Sequence, residues 1–131
     1  MVLDTLALVA TLFGEVDADL YKEAISDDPV RLICAATLFE TSLVQEGRYG
    51  DAGGRELDLL VHRIALQVVA LTYDHVELAR EGFRRFGKGK HPARLNFGDC
   101  FAYALCKATG EPLLAKGSDF PQTDLLLVPL Q

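Results

Sequence analysis

The sequence has no tryptophan, a single methionine, only three cysteines and three histidines, and no long apolar run. The cysteines, Cys34, Cys100 and Cys106, are odd in number and form no CxxC pair. With Cys34 and Cys106 in apolar surroundings, the expectation is reduced core thiols in a reducing compartment, not a disulfide framework. His62, His75 and His91 are scattered, so no zinc-binding spacing can be assembled from His and Cys. No segment approaches the roughly 18 apolar residues of a membrane span. The opening "MVLDTLALVATLF" lacks a basic flank and meets an acid at once, unlike a signal peptide. A soluble, cytoplasmic protein with no membrane contact is expected. Linkers, repeats and low-complexity stretches are also missing.

What is present is a chain of 131 residues, half of them hydrophobic, which can bury a real core as one domain spanning 1–131. The net charge of −6 argues against non-specific nucleic-acid binding by the surface as a whole. The distribution is uneven. Between Arg80 and Arg94 six basic residues face one acid, a local +5 that leaves −11 for the remainder.

Short apolar runs bounded by turn signals mark the strands: "MVLD", "VRLICA", "QVVAL", "EPLLAKG" and "DLLLVPL". Between them lie helical patterns. "TLALVATLFG" stops at Gly14; Val16, Leu20 and Ala24 mark one helix face; "ATLFETSLVQEG" is closed by Gly47. Leu57, Leu60, Val61 and Ile64 keep helical spacing, and Val76, Ala79, Phe83 and Phe86 mark a helix ending at Gly87. "KGKHPARLN" reads as a loop before a helix from about Phe97 to Ala108. Alternating strands and helices imply a three-layer α/β/α fold with a mainly parallel sheet of four or five strands.

In such sheets, ligands bind outside the carboxyl ends of the strands. Four acids map to that edge: Asp4 closing the first strand, Glu40 early in the helix after the second, Asp99 opening a helix, and Asp119 after the fourth strand. Each has a plainer alternative. Asp4 could cap a helix at Thr5, Glu40 could form a lone buried ion pair, Asp99 could complete a capping box with Asn96, and Asp119 could be a turn residue. Glu40 falls between Leu43 and Val44 on a helical wheel, inside an apolar sector. Taken together, converging carboxylates repel one another, and a hard divalent cation such as Mg²⁺ or Mn²⁺ removes that conflict. Such a site suits hydrolysis of a phosphodiester.

The runs "VLDT", "SLVQEGRYGDAGGRELDLL", "FGKGKHPARLNFGDCFAYALCKATGEPLL" and "KGSDFPQTDL" together span most of the chain. In them the sequence resembles PIN-domain ribonucleases, specifically the VapC toxins of bacterial toxin–antitoxin pairs. The resemblance implies a Mg²⁺- or Mn²⁺-dependent endoribonuclease toxin. It implies a metal held by Asp4, Glu40 and Asp99, with Asp119 as a fourth catalytic acid and Thr5 as the hydroxyl that follows the first. Leu6 stands where the family usually has a small polar residue. The resemblance further implies a homodimer and a cognate antitoxin that lays a C-terminal segment across the acid pocket and inserts a basic side chain.

Within "RRFGKGKHPAR", Arg84, Arg85, Lys88 and Lys90 are candidate RNA-phosphate contacts, although cations also suit a helix C-terminus. Phe83, Phe86, Phe97 and Phe101 stand at core spacing and are expected inside. Two non-enzymatic readings remain. One is a receiver-like signalling module, with Lys116 as its lysine and Asp74 as the only candidate phosphoacceptor. The other is an inactive PIN domain kept for binding.

Overall fold

The computed structural model describes residues 1–131. The elements run β1 (Val2–Leu3), α1 (Thr5–Phe13), α2 (Ala18–Asp27), β2 (Leu32–Cys34), α3 (Ala35–Tyr49), α4 (Asp51–Arg63), β3 (Gln67–Val69), α5 (Tyr73–Phe86), α6 (Phe97–Thr109) and β4 (Leu113–Leu114), with a 3₁₀ turn at Phe120–Gln122. The strands form one fully parallel sheet in the order β3-β2-β1-β4. The expected fifth strand, "DLLLVPL", contributes only a bridge between Leu127 and Leu113.

The short central strands show why continuous apolar runs mark them. Successive side chains point to opposite faces, so both faces need apolar residues when both are covered. Val2, Leu32, Cys34 and Leu113 enter one core with Ala79 and Phe86 of α5 and the inward side of α6. Leu3, Ile33 and Leu114 enter a second core with Ala7, Leu8, Tyr21 and Ile25 of α1 and α2. The two cores are the two inner faces of an α/β/α sandwich. All three cysteines are free and buried, and burial raises the thiols of Cys100 to about 11 and Cys106 to about 12.

Two helix boundaries differ from expectation for identifiable reasons. Val16 lies outside α2 and is fully exposed; the helix buries Ala18, Tyr21 and Ile25 instead. The helix expected to close at Gly47 runs on to Tyr49 and closes at Gly50, whose φ of 61° favours glycine. A glycine inside a helix costs only about 1 kcal/mol, which packing overrides. A Cβ at Gly47 would meet nothing within 4 Å. Gly47→Ala is therefore expected to stabilise the fold by about 1 kcal/mol, read as a higher midpoint in chemical denaturation.

Candidate active site

Strand order decides where a site can form. The chain lays down β1, β2 and β3 in one direction, then returns to place β4 on the other side of β1. The crevice of such a sheet opens at this switch, outside the carboxyl ends of β1 and β4. Asp4 is the first residue beyond β1, and its backbone amide donates to the carbonyl of Leu114 at 3.1 Å. Its residue is 2% exposed, yet its carboxylate makes no capping hydrogen bond to α1. Burial first, then the charges of Asp99 and Glu40, push its pKa up from 3.8 to about 7, against the pull of the Thr5 and Leu6 amides. Asp4 does stand at the N-cap of α1, and the pull of the first-turn amides does not offset its burial and the neighbouring charges.

Glu40 sits in the second turn of α3, half-buried. Thr5 donates its hydroxyl to Glu40 Oε1 at 2.8 Å, so Glu40 is held by a hydroxyl and has no basic partner. The lone buried ion pair is excluded. The apolar sector expected around it is also absent, since Leu43 is 56% exposed. The buried face of α3 is polar instead: Thr37, Thr41 and Gln45, spaced by one turn each, are completely buried. That four-residue spacing is visible in the sequence but carries no apolar signal.

Asp99 plays two parts. In the capping box of α6 its backbone amide donates to Asn96 Oδ1 at 3.0 Å, and its Oδ2 accepts from the Asn96 amide at 3.0 Å. Its pKa is nevertheless raised, by burial first and then by Glu40 and Asp119, while the Asn96 amide opposes the rise. Asp119 heads the 3₁₀ turn without capping it, so its carboxylate reaches the group through its charge on Asp99. The four sequence-derived acids thus share one electrostatic neighbourhood. No three metal-ligating side chains are drawn together around a single point, however. The donor chemistry still suits a hard divalent cation: oxygen-only, mutually repelling, with one buried carboxylate lacking a counter-charge. A magnesium-type ion usually takes one or two carboxylates and keeps several waters, so a closed set of three is not required.

Leu6 is 52% exposed, and only its backbone amide acts on Asp4, which any residue would supply. Lys116 bonds Glu15 and lies 3.0 Å from Asp17, at the α1–α2 corner. A receiver-like site would need that lysine at the acids. A separate cleft lies between α1, α2 and α4, with Thr11, Ile25, Arg31, Leu59 and Arg63 in its walls.

Of the basic candidates, Arg85 is committed within the fold, 3.2 Å from Asp124 and stacked over Phe86 at 4.8 Å. Lys90 lies over the Phe83 ring at 5.6 Å, and Arg84 and Lys88 are exposed. The aromatic expectation holds for Phe86, which is 8% exposed, and in part for Phe101, which packs half-buried against the same core; Phe97 is 82% exposed and meets Phe101 edge-on. No helix is long and apolar enough to cross a membrane.

The family model "PIN domain" matches residues 1–126. The chain is similar to "Ribonuclease VapC" of Mycolicibacterium smegmatis, 52% identical over 98% of this chain and 99% of that protein. It is similar to "Ribonuclease VapC30" of Mycobacterium tuberculosis, 51% identical over 99% of each chain. Among solved structures it matches Mycobacterium tuberculosis VapC20, described as a sarcin-ricin loop cleaving toxin, with a TM-score of 0.78 and 98% coverage of both chains. At 22% identity, that match speaks for the fold.

Proposed function

The chain belongs to the PIN-domain family of VapC ribonucleases, and from that membership we propose that it is a metal-dependent endoribonuclease whose site is built on Asp4, Glu40 and Asp99, serving as the toxin of a toxin–antitoxin pair. The observation that carries this reading is the buried, uncompensated carboxylate of Asp4 at the topological switch point, with Glu40 and Asp99 raising its pKa.

Asp4, Glu40 and Asp99 are the residues that would hold Mg²⁺ or Mn²⁺, with Asp119 at the rim. Such an ion, when bound, lowers the pKa of water and offsets charge gathering on the phosphate in the transition state. The chain's own residues do the rest. Thr5 fixes Glu40 Oε1, and the Asn96 amide holds Asp99 Oδ2, leaving its other oxygen free. Arg84, Lys88 and Lys90 lie in the segment leading to α6 and are suited to phosphate contact; they offset the repulsion between RNA and an acidic pocket. Arg85 serves the fold first, through Asp124.

The same acidity suits the second partner. A basic side chain delivered by an antitoxin would find several carboxylates in a partly desolvated pocket, where charge-assisted hydrogen bonds are strongest. The exposed Leu6, Phe39, Leu43 and Phe97 lie on or beside the elements that carry the acids, and they fit the expected homodimer.

Purified protein is expected to cleave RNA with Mg²⁺ and to stop when EDTA is added. Asp4→Ala and Asp99→Ala should each lower the cleavage rate by at least about a hundredfold, in line with the loss of preorganised electrostatic groups. Undiminished cleavage in both variants would refute the site.

A further inference from the structure

The Glu40 carboxylate meets two neighbours, Thr5 and Gly98, and neither belongs to the acid set. Thr5 donates to Oε1 at 2.8 Å. The Thr5 oxygen in turn lies 3.1 Å from the hydroxyl of Thr41, which is completely buried and also 2.9 Å from the carbonyl of Thr37. A hydroxyl has a single proton and two lone pairs. Once the Thr5 proton is committed to the carboxylate, its lone pairs are free to accept from Thr41. The order Thr41 to Thr5 to Glu40 ends on a charge, which strengthens the chain relative to the local bond from Thr41 back to Thr37.

The other neighbour is Gly98, in the first turn of α6. Its backbone does not need glycine, because its φ is not positive. Alanine is the better helix former at such a position. What opposes it is the present placement of the Glu40 carboxyl group, the far end of a flexible side chain that a Cβ would push aside. A Cβ at residue 98 would stand 2.6 Å from both Cδ and Oε1 of Glu40, and its three nearest neighbours are all atoms of that one carboxyl group. The missing side chain is therefore room for the Glu40 carboxylate, next to Asp99 and at the positive end of a helix.

We infer that Thr41 and Gly98 are positioning residues that together set the orientation of the Glu40 carboxylate, and through it the site's affinity for a divalent cation. The inference rests on the reading of Glu40 as a metal-holding acid. It gives α3 and α6 complementary roles. Helix α3 supplies the carboxylate and its hydroxyl brace, and α6 leaves the gap that receives it.

The test is Mn²⁺ affinity by calorimetry on the full chain, for the wild type, Gly98→Ala, Thr41→Val, Thr41→Ser and Glu40→Gln. Gly98→Ala and Thr41→Val should weaken binding roughly ten- to a hundredfold, the usual size for residues that orient ligands, and Thr41→Ser should restore it. Glu40→Gln separates the two levels. If it binds Mn²⁺ as the wild type does, the reading of Glu40 fails and the inference with it. If it is weakened while Gly98→Ala and Thr41→Val bind normally, only the positioning inference is overturned. A metal-free cycle gives an independent answer even where a variant folds poorly. Gly98→Ala should raise the melting temperature by about 3 °C in a Glu40→Ala background, where helix propensity alone decides, and by clearly less in the presence of Glu40, whose carboxyl group must give way. Equal effects in both backgrounds would overturn the proposal.

Discussion

Asp4→Asn is expected to make the metal-free protein more stable at pH 8 while abolishing its cleavage of RNA. Buried Asp4 has its pKa raised from 3.8 to about 7. At about 1.4 kcal/mol per pH unit, that rise amounts to roughly 4 kcal/mol of native-state cost above pH 7, as an upper bound. The sign follows from proton counting. Between about pH 4 and 7 the folded chain keeps a proton on Asp4 that the unfolded chain has released, so raising the pH across this window removes stability. Asparagine has no charge to bury, although its amide costs something if left unpaired. The net gain should be roughly 2 to 4 kcal/mol at pH 8 and fall to nothing near pH 4, read from denaturant melts in EDTA. Millimolar Mg²⁺ should narrow the gap by stabilising the wild type alone. Equal stability of the two proteins at pH 8 in EDTA would mean that Asp4 is not strained by its neighbours.

Gly82→Ala should have the opposite sign from Gly47→Ala, although both lie inside helices. At residue 82 of α5 an added Cβ would stand 2.5 Å from Cδ1 and 2.8 Å from Cε1 of Tyr103. Tyr103 is 1% exposed and its ring meets Phe86 at a centroid distance of 5.9 Å, so it has no room to retreat. Overpacking of this kind costs about 1–3 kcal/mol, and the clash here falls at the upper end. The helix-propensity gain of about 1 kcal/mol offsets only part of it. A net loss of roughly 2 kcal/mol is expected, together with parting of α5 from α6, visible as faster amide exchange at their contact. A stability equal to or above that of the wild type would show that the α5–α6 seam is looser than the packing indicates.

Much of the fold is legible in one dimension because three of the four strands are buried on both faces, the edge strand β3 being largely exposed. Val2–Leu3, Leu32–Cys34 and Leu113–Leu114 are apolar at every position, as strands with two covered faces must be. The acids are legible because a carboxylate at the end of such a strand has few structural excuses. Orientation within helices is not. A helical wheel puts Glu40 in an apolar sector because Leu43 and Val44 flank it, yet α3 turns Thr37, Thr41 and Gln45 inward. Apolar residues are common on protein surfaces, so Phe97, Phe39 and Leu43 give no sign of exposure in the sequence. Nor can spacing show that Gly98 makes room for Glu40, since the two residues meet only after α3 and α6 are packed together. Asp99 shows that capping and site chemistry are not alternatives: the same carboxylate closes its helix and adds to the charge around Asp4.

The most direct test is a crystal structure with Mn²⁺, locating the ion by its anomalous signal and using a non-cleavable RNA oligonucleotide to fill the pocket. The account places the ion between Asp4 and Asp99 at bonding distance, with Glu40 either bound directly or joined through water. An ion held elsewhere, or Asp4, Glu40 and Asp99 each turned to separate partners in a protein that still cuts RNA, would contradict it.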